Sequence, residues 1–69
     1  MTAEKLANTL RDVRIEHGLT QAELAELIGV SRKTVNTVEN GVFVPSTLLA
    51  LKLARALGVS VEALFSLVE

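Results

Sequence analysis

The sequence lacks several residue types on which catalysis and covalent cross-linking depend. It contains no cysteine among its 69 residues, so it can form neither a disulfide framework nor a thiolate metal site. Its single histidine cannot form a histidine-based metal cluster, and no glycine-rich phosphate loop is present. We therefore expect a protein that is not an enzyme and that binds no metal ion and no cofactor.

Aromatic residues are almost as scarce as cysteine. Two phenylalanines are the only ones, yet 49% of the chain is hydrophobic. The core must therefore consist mainly of leucine, valine, isoleucine and alanine, and this apolar content excludes a disordered chain. Because 69 residues can bury only one modest core, we expect a single domain over residues 1–69.

Signals for export or membrane insertion are also missing. No segment combines a basic start with an apolar run, as a secretory signal does. The longest uncharged stretch, residues 40–51, is too short to cross a bilayer and contains Pro45. We therefore expect a soluble protein of the cytoplasm that makes no contact with a membrane.

The charge balance does not favour a nucleic-acid partner by itself. Seven Lys and Arg face eight Asp and Glu, which gives a net charge of −1. Nucleic-acid-binding proteins often carry a basic excess. Binding to DNA would therefore require the cations to be concentrated on one face of the molecule.

Three of the four glycines open the same triplet, in which an apolar residue and then Ser or Thr follow. These triplets begin at Gly18, Gly29 and Gly58. A left-handed glycine ends a helix, and a hydroxyl two residues later can cap the next helix. The triplets therefore predict three helix–helix junctions, and Thr20 with Glu23 further predicts a capping box.

Two more caps, Thr2 and Ser46, complete a set of five predicted helices. These helices span about residues 3–17, 21–28, 32–40, 47–57 and 61–67. Apolar residues recur at helical intervals within them, including Leu6 in the first and Leu27 in the second. No alternating strand pattern of useful length is present, so we predict an all-α domain.

The predicted third helix differs from the others in its chemistry. It has only two valines for the core, and its other face carries Arg32, Lys33, Asn36, Thr37 and Asn40. Arginine and lysine can donate to guanine, and threonine can bond to several base edges or touch the thymine methyl group. A solvated helix face is the alternative. However, a helix, a tight turn and a short polar helix over residues 21–40 form the pattern of a helix-turn-helix motif.

The motif resembles those of phage-repressor-type proteins, also called the Xre-like or lambda-repressor-like family. The similar segments are GLTQAELAELIGVSRKTV at residues 18–35 and VENG at residues 38–41. Residues 45–65 resemble the last two helices of the same family, so the resemblance covers nearly the whole chain. It implies a compact five-helix domain that binds double-stranded DNA as a transcriptional regulator, with the third helix in the major groove.

The resemblance also implies roles for individual side chains. Base-contacting positions are occupied by Arg32, Lys33 and Thr37, and positions that commonly contact phosphates by Ser31, Thr34 and Asn40. Gln21 occupies a position at which family members contact a phosphate and support a base-contacting residue. Arg14 and Glu39 are implied to form an internal ion pair rather than to contact DNA.

The loop after Gly41 departs from the family pattern. Family members usually have basic or polar side chains there, whereas this sequence has Val42, Phe43 and Val44. We therefore do not expect phosphate contacts from these side chains. A loop also cannot direct three consecutive side chains into the core, so part of this apolar surface should be exposed.

Further apolar residues are predicted to be exposed, beyond what a small monomer usually shows. Together with two loop residues they form a candidate dimer interface of Phe43, Val44, Leu48, Leu67 and Val68. A two-fold homodimer would bury them and place two recognition helices on one face of a palindromic operator. Scattered exposed apolar residues are common, and a monomer is the alternative.

Two functions from different classes remain at this point. The first is a sequence-specific DNA-binding regulator that acts as a homodimer, with no small-molecule ligand evident. The second is a protein-interaction module with the same fold, and an antitoxin would combine both. The polar face of the third helix favours the first function, whereas the negative net charge and the uncharged loop favour the second.

Overall fold

Five helices lie between two short strands that pair with each other. The computed structural model describes residues 5–68. Its elements are β1 (Lys5–Asn8), α1 (Leu10–Glu16), α2 (Gln21–Ile28), α3 (Arg32–Glu39), α4 (Thr47–Leu57), α5 (Val61–Leu64) and β2 (Phe65–Val68). Helices α2, α3 and α4 agree with their predicted bounds to within one residue. None of the helices in this part of the chain is long and apolar enough to cross a membrane.

The predicted junctions between helices are confirmed. Thr20 Oγ1 accepts from the backbone N–H of Glu23 at 3.0 Å, and the Thr20 N–H donates to Glu23 Oε1 at 2.9 Å. Helices α3, α4 and α5 are capped by Ser31, Ser46 and Ser60. Gly29 has a φ angle of 73°, and an added Cβ there would meet nothing within 4 Å. The backbone conformation, rather than a lack of space, therefore favours glycine at this turn.

The prediction of an all-α domain is wrong at both ends of the described chain. Strands β1 and β2 pair antiparallel, with Lys5 opposite Val68. The first helix begins at Leu10 rather than at residue 3, and the fifth ends at Leu64 rather than at residue 67. The predicted cap Thr2 lies outside the described residues.

One local contact and two contacts between distant residues lie where these two helices begin and end. Asn8 Oδ1 accepts from the Leu10 N–H at 3.2 Å at the start of α1, while Asn8 Nδ2 donates to the Val38 carbonyl at 3.0 Å. The Thr9 hydroxyl donates to the Ala63 carbonyl at 2.7 Å, near the end of α5. Because the last two contacts span 30 and 54 residues, helical periodicity alone cannot predict them.

The core lies between the helices and includes the first residue of β2. Its buried hydrophobic residues are Leu10, Leu24, Ala25, Ile28, Val35, Val38, Leu49, Leu53, Ala54, Leu57, Leu64 and Phe65. Two residues that periodicity assigned to buried helix faces are exposed instead. Leu6 belongs to β1, and Leu27 is on the outer side of α2 with 63% of its surface exposed.

Candidate nucleic-acid interface

Helix α3 buries one side and exposes the other. Val35 and Val38 are each only 1% exposed, so they attach the helix to the core. On the outer side, Arg32, Lys33 and Asn36 line one open depression. These three side chains therefore form a shared surface at the N-terminal half of the helix, as the sequence pattern predicted for its polar face.

Two hydroxyl groups mark the start of α3. Ser31 Oγ accepts from the backbone N–H of Thr34 at 3.2 Å, and the hydroxyl oxygens of the two residues lie 2.9 Å apart in a hydrogen bond. They are next to Arg32 and Lys33 in the sequence. Both hydroxyls therefore lie at the end of the helix where the backbone dipole favours a negative group.

The structure brings Arg14 and Glu39 together in an ion pair. Arg14 Nε lies 2.6 Å from Glu39 Oε2, and Arg14 Nη2 donates to Glu39 Oε1 at 3.3 Å. Arg14 Nη1 donates to the Leu19 carbonyl at 2.7 Å. The two side chains are 11% and 2% exposed, so they connect α1 to the end of α3 and offer little surface to a partner.

Gln21 connects this ion pair to the outer face of α3. Its Nε2 donates to Glu39 Oε1 at 3.0 Å, and its Oε1 accepts from Asn36 Nδ2 at 3.5 Å. The second contact is at the long end of the range for hydrogen bonds. A continuous chain of polar contacts therefore runs from Arg14 through Glu39 and Gln21 to the exposed Asn36.

The capping box fixes the first turn of α2 and with it the position of Gln21. The pKa of the Glu23 carboxyl lies below its ordinary value of 4.5, because the Thr20 backbone N–H and then the Thr20 hydroxyl stabilise its charged form. The contacts of this cap therefore stabilise the charged form of Glu23.

The polar groups of the last turn of α3 are partly engaged by the helix itself. The Thr37 hydroxyl lies 3.0 Å from both the Lys33 and Thr34 carbonyls, to which it donates, and Asn40 Nδ2 donates to the Asn36 carbonyl at 2.9 Å. The hydroxyl hydrogen of Thr37 is thus already used. The groups of Thr37 that remain available to a partner are its methyl group and its hydroxyl oxygen, which can accept a hydrogen bond.

The five residues of the candidate dimer interface are all exposed. The exposed fractions of Phe43, Val44, Leu48, Leu67 and Val68 lie between 45% and 70%. Phe43 and Val44 line a groove of mixed polarity with Leu6 and Lys5, and Leu67 lies opposite Leu6 in the strand pair. A second, neighbouring groove shares Leu6 and Val44 with the first, and Leu48 lines neither of the two. Val68 points to the face of β2 opposite to that of Leu67.

The candidate dimer interface left out two residues of this apolar surface. Leu6 was assigned to a helix, and Leu51 was not included in the interface. Leu51 lines the second groove together with Leu6, Val44 and Phe65. Phe65 and Leu67 lie on one face of β2, but four residues are too short a pattern to predict the pairing that brings Leu6 opposite Leu67.

The comparisons with known proteins agree with this architecture. The helix-turn-helix family model HTH_3 matches residues 10–64. The uncharacterized HTH-type transcriptional regulator YgzD of Bacillus subtilis is 41% identical over 64 residues, which cover 93% of this chain and 97% of that protein.

Two solved structures show the same fold at substantial sequence identity. The restriction-modification controller protein C.AhdI from Aeromonas hydrophila superposes with a TM-score of 0.74 at 41% identity, over 78% of this chain and 82% of that one. The clp gene regulator ClgR from Corynebacterium glutamicum superposes with a TM-score of 0.72 at 38% identity, over 75% of this chain and 55% of that one.

The fold and the exposed face of α3 define a helix-turn-helix protein. More specifically, the chain belongs to the HTH_3 family, the Xre-like class of DNA-binding transcription regulators.

Proposed function

We propose that this protein binds double-stranded DNA sequence-specifically as a transcriptional regulator of the cytoplasm, with α3 in the major groove. The exposed face of α3 carries the proposal, because Arg32, Lys33 and Asn36 line one depression while the opposite side of the helix is buried. An α-helix fits the major groove, and side chains near its N-terminus can reach base edges. Thr37, one turn further along, adds a methyl group suited to thymine.

Phosphate contacts would hold the helix in place beside the groove. The side chains that we propose for them are Gln21, Ser31, Thr34 and Asn40. Ser31 and Thr34 support this role through their position at the start of α3, where the helix dipole favours an anion. Gln21 is the first residue of α2, and the dipole of α2 favours an anion at this end of the helix in the same way.

The test compares two double variants that remove the same charge from different places. Arg32→Ala/Lys33→Ala acts on α3, whereas Lys52→Ala/Arg55→Ala acts on α4, where both side chains line a different depression. Affinity is measured for a duplex selected from a random pool. Loss of each bidentate base contact should cost about 1–3 kcal/mol of binding free energy in the first variant only. Equal affinities for the wild type and the α3 variant would overturn the proposed groove contact.

We also propose that the protein is a homodimer that binds a palindromic operator. The proposed interface consists of Phe43, Val44, Leu48, Leu67 and Val68, all of them exposed apolar side chains. The grooves around Leu6 support this proposal, because a second copy would cover their apolar lining. Two recognition helices could then occupy half-sites about 34–36 Å apart on one face of the duplex.

The charges at the grooves suit pairing with a second copy. Lys5 lines one groove and Glu62 lines the neighbouring one, while Leu6, Val44 and Phe65 line both. In a two-fold interface each surface faces its own copy. Lys5 of one protomer can then approach Glu62 of its partner, which would favour this pairing over association with an unrelated apolar surface.

Sedimentation tests this assembly. Phe43→Asp and Leu67→Asp each place a charge in the proposed interface and should give a folded monomer that fails to bind the palindrome. Leu27→Asp is the matched control, since Leu27 is an apolar residue of α2, 63% exposed, that lies outside the proposed interface. It should leave the dimer intact. A wild type that is monomeric at high micromolar concentration and also fails to pair on a palindrome would overturn the proposed dimer.

One observation favours a second function, that of a protein-interaction module. Val42, Phe43 and Val44 are all exposed in the loop after α3, where a basic or polar loop would suit DNA better. An antitoxin would use this surface for its protein partner and α3 for DNA. Salt-dependent binding to duplex DNA separates the alternatives, because a pure interaction module would show none.

A further inference from the structure

The hydrogen bonds behind α3 fix the orientation of two side-chain amides. The Glu39 carboxylate, which forms an ion pair with Arg14, can only accept, so the neighbouring group of Gln21 must be its NH₂, as found at 3.0 Å. The Gln21 carbonyl oxygen then points toward Asn36. Because that oxygen can also only accept, Asn36 must direct its own NH₂ group toward it, as found at 3.5 Å. The ion pair with Arg14 thus determines how an amide at the surface is turned.

This orientation leaves a defined pattern of groups on Asn36 for a partner. One N–H of Nδ2 points toward Gln21, and the second N–H and the oxygen Oδ1 remain. Within residues 5–68, Asn36 Oδ1 accepts no hydrogen bond from the protein. Asn36 is exposed and shares its depression with Arg32 and Lys33. It therefore offers one acceptor and one donor, side by side, on the face proposed to enter the major groove.

Only adenine matches both groups in the major groove. It presents a donor at N6 beside an acceptor at N7, whereas guanine presents two acceptors, cytosine a donor, and thymine an acceptor and a methyl group. Arg32 and Lys33 carry only donors, which suit guanine. Of the three side chains that line the depression, only that of Asn36 can both accept and donate a hydrogen bond.

We propose that Asn36 is a specificity-determining residue that recognises an adenine through N6 and N7. Gln21, at the position where family members support a base-contacting residue, is then the positioning residue that orients Asn36. The inference rests on the proposed function, because it requires α3 in the major groove. It goes further by assigning a base to one side chain and by giving the buried ion pair a role in sequence recognition.

The first test identifies the base pair on which Asn36 acts. Duplexes selected by the wild type are compared with those selected by Asn36→Ala, and the position whose preference disappears is then varied. The wild type should prefer adenine there by about 5- to 150-fold over the other bases. Replacing that adenine by 7-deazaadenine, which lacks the N7 acceptor, should weaken wild-type binding about 3- to 10-fold and leave Asn36→Ala unaffected.

The variant Asn36→Asp gives the sharpest result. It keeps the size of the side chain but can only accept, and carboxylates accept from cytosine N4. The preferred base at this position should therefore change from adenine to cytosine. Circular dichroism checks that each variant remains folded.

The positioning role of Gln21 has its own readout. Gln21→Met keeps the approximate length of the side chain and removes both hydrogen bonds, so the adenine preference should fall although Asn36 is unchanged. Asn40→Ala is the matched control, since Asn40 is exposed directly after the last residue of α3 and is proposed to contact a phosphate. It should lower the affinity for all sequences equally and leave the base preference intact.

The outcomes separate this inference from the proposed function. If no duplex is selected at all, both are overturned. If a duplex is selected but the base preference is the same in Asn36→Ala and Asn36→Asp as in the wild type, or if the base is not adenine, the recognition role of Asn36 is wrong and the regulator remains. An adenine preference that survives Gln21→Met overturns the positioning role.

Discussion

The Glu39 side chain connects three parts of the molecule. It accepts from Nε and Nη2 of Arg14 and from Nε2 of Gln21, and it is only 2% exposed. Burial of the two charges is costly, but the pairing and the additional hydrogen bonds offset the cost. Among the described residues, no buried side-chain nitrogen or oxygen lacks a partner. Removal of the carboxylate would leave Arg14 as an uncompensated, nearly buried charge.

Glu39→Ala should therefore lower the free energy of unfolding by roughly 3–5 kcal/mol, as measured by urea denaturation. Glu26→Ala is the control, because Glu26 is an exposed glutamate of α2 outside the ion pair. It should change the stability by less than about 0.5 kcal/mol. Equal effects of the two substitutions would contradict a structural role of the ion pair.

Among the helices and strands, α2 begins with a capping contact whose contribution to stability depends on pH. The pKa of Glu23 is lowered in the folded protein, because the charged carboxylate accepts from the Thr20 N–H. A lowered folded-state pKa means that this contribution to stability is present above the ordinary pKa of 4.5 and is lost as the pH falls through the lower, folded-state value.

Glu23→Gln should remove this pH dependence. Glutamine can also complete a capping box, but it does not titrate. As the pH falls below 4.5, the unfolding free energy of the wild type should therefore decrease relative to that of the variant. Urea denaturation at a series of pH values measures this difference. If the difference between the wild type and Glu23→Gln stays constant at pH values well below 4.5, the Glu23 carboxylate does not contribute to the pH dependence of stability.

The elements that local sequence determines were predictable, and those that distant contacts determine were not. Helices α2, α3 and α4 follow from a cap at one end and a glycine or polar stop at the other, signals that lie within a few residues. The strand pair joins residues 5–8 to residues 65–68. Neither strand has an isolated pattern strong enough to outweigh helical spacing, so only the folded chain shows their pairing.

The candidate site likewise has a part that was predictable from local sequence and a part that was not. Helical periodicity placed Arg32, Lys33 and Asn36 on one outer face, because Val35 and Val38 had to face the core. The contact between Gln21 and Asn36 crosses the turn between two helices, and no spacing rule predicts which amide group faces the other. The pairing of Arg14 with Glu39 was implied by family resemblance alone.

For the whole molecule, the charge balance limits non-specific DNA binding. The net charge is −1, and Arg32 and Lys33 are the two cations that line the depression on α3. On a random duplex, where they have no preferred base to contact, these two cations can neutralise two phosphates per protomer. That number gives a slope of about −2 for the logarithm of the binding constant against the logarithm of the salt concentration. We expect weak binding to random duplexes with a slope this shallow, measured by fluorescence anisotropy. A slope steeper than about −5 per protomer would show a cationic surface larger than the one proposed.

The strand pair has a consequence for the way this domain can be combined with others. Because Lys5 lies opposite Val68, the chain enters and leaves the described domain at the same point. A domain whose ends are adjacent can be inserted into a surface loop of a host protein, or circularly permuted, with little distortion of its helices. The helix-turn-helix can thus be transferred between proteins as a cassette with a single point of attachment.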